Sequence, residues 1–152
     1  MSFLNAVINK VKDEALREQL QERIDLIQHK IKFMDKVPVA CLDSENGFNY
    51  MLEEVILTAG GILHDFPNTA KVVIYLEKGT SMLELMGVVP PLLDKSWPAV
   101  EYNRVYLMNG QDLDTTDAED LVNALEDIAE MLYPGFFVFG NEGIDWLSFK
   151  TQ

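Results

Sequence analysis

The chain is poor in the residues that most chemistry needs. It has one cysteine and two histidines in 152 residues. Cys41 can form no internal disulfide, and its place in the apolar run VPVACL reads as a buried, inert thiol. His29 and His64 lie too far apart for a paired-histidine metal motif. His29 reads as a solvated helix residue and His64, beside Asp65, as an ordinary loop residue. No stretch approaches about 18 uncharged apolar residues, so no membrane-spanning helix is expected. A Gly-rich phosphate loop is missing too: Gly60-Gly61 closes a helix where such a loop would open one. No serine sits in a nucleophile elbow. Positive charge is scarce, with a formal net charge of −13, and this excludes nucleic acid as an expected partner.

What is present is an ordinary globular composition, 48% apolar, enough for one core. The acidity is uneven. Residues 1–36 hold seven Lys/Arg against six Asp/Glu, whereas residues 101–132 hold nine acids against Arg104 alone. The second stretch reads as a solubilising face, and residues 112–130 are also a candidate contact for a basic protein. The start, MSFLNAVINKVKDEALREQ, carries Lys10 and has no apolar core or small-residue cleavage site of a signal peptide. It reads as the beginning of a helix. With the lone cysteine, this sets an expectation of a cytoplasmic protein.

Val7, Val11, Leu20, Ile24, Ile27 and Ile31 recur at helical spacing, so a single long helix is expected over residues 4–33. Asp13 and Arg17 are an i,i+4 pair on it. About 28 helical residues would run about 42 Å, longer than a small lobe is wide. A heptad seam is the rival reading, although the steps drift. Residues 37–42 and 71–76 (VPVACL, KVVIYL) are continuous apolar runs, as expected of buried parallel strands, and residues 104–108 are a third. Between them, helical spacing covers 48–58, a short edge strand is expected at 62–64, a short helix falls at 81–85, and Pro90-Pro91 break the chain before the stretch 92–100 that carries Trp97-Pro98. The last long helix spans 117–132, with Thr115 or Thr116 as its N-cap. Met82, Met86 and Met131 read as core filling. The aromatic tail (Phe136, Phe137, Phe139, Trp146, Phe149) reads as a cover for apolar surface. Strands alternating with helices imply an α/β fold, a three-layer α/β/α lobe with a mostly parallel sheet. Residues 1–36 form its N-terminal backbone helix and 37–152 the lobe, one structural domain overall.

In such a sheet the loops after the strands share the carboxyl edge, where ligands bind. That edge gathers Glu45, Asn46, Phe48, Asn49 and Tyr50 after the first strand, Glu77, Lys78, Thr80 and Ser81 after the second, and Asp112 and Asp114 after the third. These are the candidate ligand contacts, with plain turns and caps as the alternative. The paired Asp112 and Asp114 lack a nearby nucleophile or substrate clamp, so an enzyme is the weakest reading.

Ala59-Gly60-Gly61, Trp97-Pro98-Ala99-Val100, residues 103–110 and residues 120–134, in that order, resemble the second half of the helical-backbone metal receptors. These are the substrate-binding proteins of ABC importers of cobalamin and iron chelates, and the resemblance covers roughly residues 12–137. It implies two α/β lobes joined by one rigid helix, with ligand held between them. Here only the helix and one lobe are matched. Gln111, Asp112 and Leu113 stand where cobalamin-type members place a stacking aromatic. Thr115, Thr116, Asp117 and Ala118 replace the usual Ser/Arg and Pro, and Asp114 stands where an acid often meets the permease. The expectation is therefore a non-enzymatic, single-lobe relative acting as a homodimer, associated through the long helix and the aromatic tail. The alternative is a binding module for a corrinoid, haem or metal chelate in a cleft between two copies. No cofactor is assigned.

Overall fold

A computed structural model describes residues 3–150. Five strands form one sheet in the order β2-β1-β3-β4-β5: β1 (Val37–Leu42), β2 (Gly61–Leu63), β3 (Val72–Tyr75), β4 (Val105–Met108) and β5 (Trp146–Phe149). The first four run parallel, with Val39 beside Val72 and Val73 beside Val105; β5 returns antiparallel, Met108 opposite Trp146. The mostly parallel α/β lobe expected from the sequence is the one observed.

Side-chain alternation assigns each strand residue to a layer. Val39, Cys41, Val72, Ile74, Tyr106 and Met108 face one core, and Ala40, Leu42, Val73, Tyr75, Val105 and Leu107 the other. The first core is covered by α1 (Phe3–Asn9), α2 (Glu14–Lys30), α3 (Glu53–Thr58) and α6 (Ala118–Leu132). The second has the thinner lid of α4 (Met82–Val88), α5 (Pro98–Glu101) and the 3₁₀ turn Pro90–Leu92. Helices on both faces make the three layers.

The N-terminal rod is corrected. The chain breaks after Asn9, and two helices replace one. Asp13, read as the ion partner of Arg17, instead caps α2: its carboxylate accepts from Leu16 N at 3.2 Å. Arg17 Nη1 donates to the Val11 carbonyl, which closes the turn at 3.1 Å. Burial drives the fold-back. Leu4, Val7 and Ile8 join the main core, and the Phe3 and Leu4 amides donate to the Glu54 carboxylate of α3 at 2.7 and 3.0 Å. A straight rod would carry those residues into water. The 17 residues of α2 span only about 25 Å. The Arg23 guanidinium grips Glu126 of α6 through two contacts, 2.6 and 3.0 Å, and fastens α2 to the lobe.

Other boundaries shift for local reasons. The helix read over 48–58 starts only at Glu53, because residues 48–50 are drawn to the sheet: Phe48 bridges Leu42, and Asn49 N donates to the Cys41 carbonyl. Asp117, not Thr115 or Thr116, caps α6, accepting from Asp120 N. Met131 is buried as expected, but Met86 is exposed and Met82 half-buried. The aromatic tail does cover the core, as strand β5 with Trp146 buried against Tyr106.

Candidate functional site at the carboxyl edge

Three loops leave the carboxyl ends of β1, β3 and β4. In the centre of the edge they are sewn to one another. The Asp43 carboxylate accepts from the amides of Glu45 and Gly47 at 2.9 and 2.8 Å, which holds Asn46 in a left-handed conformation (φ 59°). Asn46 then accepts from the buried Tyr75 hydroxyl at 2.7 Å and donates to the Leu92 carbonyl at 2.9 Å. Desolvation pushes that Tyr75 phenol well above its ordinary value. Asn49 donates to the Leu76 carbonyl at 2.8 Å. Glu77 accepts from the hydroxyls of Ser44 and Thr80 at 2.7 and 2.9 Å, and these bonds, Ser44 first, hold its carboxyl below the usual range. Gly79 N donates to the Gly110 carbonyl and Gly110 N to that of Thr80, so the second and third loops are joined as well. A Cβ on Gly110 would run into the Glu77 carbonyl.

Several expected contacts therefore have internal work. Asn46, Asn49, Glu77 and Thr80 are brought together, but their polar atoms face each other or the backbone. Ser81 forms the capping box of α4 with Glu84. Asp114 accepts from the Thr116 hydroxyl and amide, in that order of effect, and its carboxyl is lowered. Glu45 and Lys78 are exposed. The centre of the edge is a structural lock.

The two flanks differ. Beyond β1 and β2, Phe48, Tyr50 and Phe66 are 41%, 50% and 63% exposed. Phe48 meets Phe66 edge-on at 6.2 Å between ring centres and Tyr50 at 6.5 Å. The Tyr50 hydroxyl donates to Asp65 at 2.8 Å, and that bond is the first cause of its raised pKa. The sequence pattern does not reveal Phe66, since it lies past a three-residue strand that carries little periodic signal. Beyond β4, a recess of about 170 Å³ is lined by Asn109, Asp112, Asp120, Asn123, Asp127 and Asp145 among others. Of these only Asp112 is a candidate from the sequence. Burial pushes the Asp127 carboxyl up to about 7.

Cys41 is buried, and desolvation pushes its thiol up to about 12, which leaves it unreactive. His64 Nδ1 lies 2.9 Å from the Thr69 hydroxyl, and His29 is exposed. Among the described residues no group of three or more His, Cys, Asp or Glu is placed to hold a metal ion, and no helix is long and apolar enough to cross a membrane.

No family model matches the chain, and no curated protein sequence matches it. Solved structures do. FepB of Veillonella parvula, a TroA-like periplasmic binding protein, superposes with a TM-score of 0.61 at 12% identity, over 81% of this chain and 47% of that one. An ABC transporter substrate-binding protein of Listeria monocytogenes gives 0.60 at 18%, over 78% and 56%. CeuE of Helicobacter pylori, in a nickel–histidine complex, gives 0.59 at 12%, over 87% and 52%. At such identities the likeness is one of fold. The chain spans about half the length of the structures it matches.

Proposed function

We propose that this chain is a non-enzymatic, one-lobed binding module that works by association, with a second copy of itself as the partner. The observation that carries this reading is the aromatic flank. Three rings stand about half-exposed on the edge that would face the other lobe in the two-lobed receptors the sequence resembles. Covering apolar area is favourable by about 25 cal/mol per Å², and clustered rings of this kind mark contact surfaces. The likeness to about half of each matched binding protein supports the same picture. The route to association differs from that read in the sequence. The overhanging rod is folded back, and the tail is built into the sheet, so the flank takes their place as the contact. Light scattering over about 5–300 µM tests it. The wild type is expected to reach the mass of two chains and Phe66→Asp to remain at one. A wild type that stays monomeric throughout removes the proposal.

A second reading keeps this edge and places a corrinoid, haem or metal chelate between the two copies. Its specific support is the half-exposed cluster of rings, whose faces and edges can pack against a conjugated ligand, together with the likeness in fold to a substrate-binding protein. Thermal-shift titration with haem, cobalamin and a ferric chelate decides it: a rise in Tm with one of them that Phe66→Ala abolishes supports it, and no rise with any removes it.

A further inference from the structure

The seam between α6 and the segment leading into β5 carries two poorly satisfied buried groups. Asp127 is 2% exposed, yet among the described residues its carboxylate accepts from Asn141 Nδ2 alone, at a long 3.2 Å. Trp146 is 3% exposed, and among the described residues its indole Nε1 has no hydrogen-bond partner. Each such group weakens the seam, since burial removes its water without a full replacement. Asn141 and Trp146 both belong to residues 139–149. That segment is also held by Glu130, which accepts from Phe139 N at 2.7 Å, by the Asp145 carbonyl, which accepts from Asn109 N at 2.8 Å, by Trp146 edge-on to Tyr106, by Leu147 and Phe149 against the second core, and by the pairing of β5 with β4. The strand is four residues long and lies at the sheet edge, approached through Gly140 and Gly143 at φ 87° and 88°. Such an edge is the most easily opened part of a sheet.

The charges around Asp127 are nearly all of its own sign. Asp145 faces it from the segment itself, Glu126 and Glu130 from α6, and Asp112 and Asp120 share its recess. From α2, Arg23 is near enough to feel its charge but is spent on Glu126 at 2.6 Å. An ionised Asp127 is thus buried among carboxylates, whereas a neutral one keeps Asn141 and provokes no repulsion. We propose that residues 139–149 form a strap whose closure on α6 and β4 requires a proton on Asp127. Ionisation loosens the strap and uncovers the outer edge of β4. This device stands apart from the association reading and does not depend on it.

Linkage sets the sign. The closed-state carboxyl, at about 7, lies above its free value of 3.8, so the closed form binds the proton more tightly. Its contribution to closure is complete below the free value and is lost as pH rises through about 7. Hydrogen–deuterium exchange of the whole protein, corrected for intrinsic rates, reads it out. Between about pH 5.5 and pH 8.5 the protection of the β5 amides and their β4 partners should fall by about 30-fold. Strands β1 and β3 should hold theirs, and Asp127→Asn should show equal β5 protection at both pH values. A pH-independent β5 in the wild type overturns the proposal, as does the same loss in the variant or an equal loss in β1 and β3. Should the variant not fold, carbon-13 titration of the wild-type Asp127 carboxyl replaces it: a midpoint near 7 supports the strap, and one below about 5 overturns it.

Discussion

The centre of the carboxyl edge and its aromatic flank are neighbours with opposite characters. In the centre, Asn46, Asn49, Glu77 and Thr80 are polar, well placed by topology and already bonded to the loops around them. On the flank, Phe48, Tyr50 and Phe66 hold one another loosely and face water. The difference separates two uses of a loop. A group bonded internally fixes geometry and has little left to offer a ligand. A group left half-exposed costs the folded chain some stability and is free to be covered by something else.

The sharpest way to break the comparison is to open the centre. Gly110→Ala forces a methyl group against the Glu77 carbonyl, so the second and third loops must part. A loss of about 3 kcal/mol is expected from urea unfolding. Tyr75→Phe is milder. It strips one hydrogen bond from Asn46 without changing the packing, and about 1.5 kcal/mol should be lost. Glu77→Gln sharpens the point through pH. The carboxyl is lowered in the fold, so its contribution is present above the free value of 4.5 and fades as pH falls through the lower folded one. The urea midpoint of the wild type should therefore drop further than that of the variant between about pH 6 and pH 3. Equal drops would show that Glu77 locks nothing. The smallest effect on stability is expected on the flank. Phe66→Ala should unfold within about 0.5 kcal/mol of the wild type while self-association weakens at least tenfold. A large loss of stability there would make Phe66 a core residue and erase the contrast.

Much of the fold was legible. The runs VPVACL and KVVIYL formed the buried strands expected of them, and the last helix ended at Leu132 as expected. The rod over residues 4–33 was not, because a stripe of apolar side chains fits a straight helix and a helical hairpin equally well. What decides is Asp13, whose carboxylate serves a cap more readily than an ion pair, and Glu54, whose role as acceptor for the first amides is fifty residues away in sequence. The grouping of the loops at the carboxyl edge was legible by topology, but not what each residue does there. Nothing in the local sequence says that Glu77 will meet Ser44, or that Asp127 will be buried beside Asn141, since both depend on which loops the sheet places together. Phe66 escaped because three residues of strand make too short a pattern to fix where the next loop lands.

A concentration series of amide and aromatic NMR spectra tests the flank as a contact surface most directly. Shifts confined to residues 46–50 and 64–68 are expected as the chain pairs. Shifts centred on α2 and residues 136–149, or none up to millimolar protein, would contradict it.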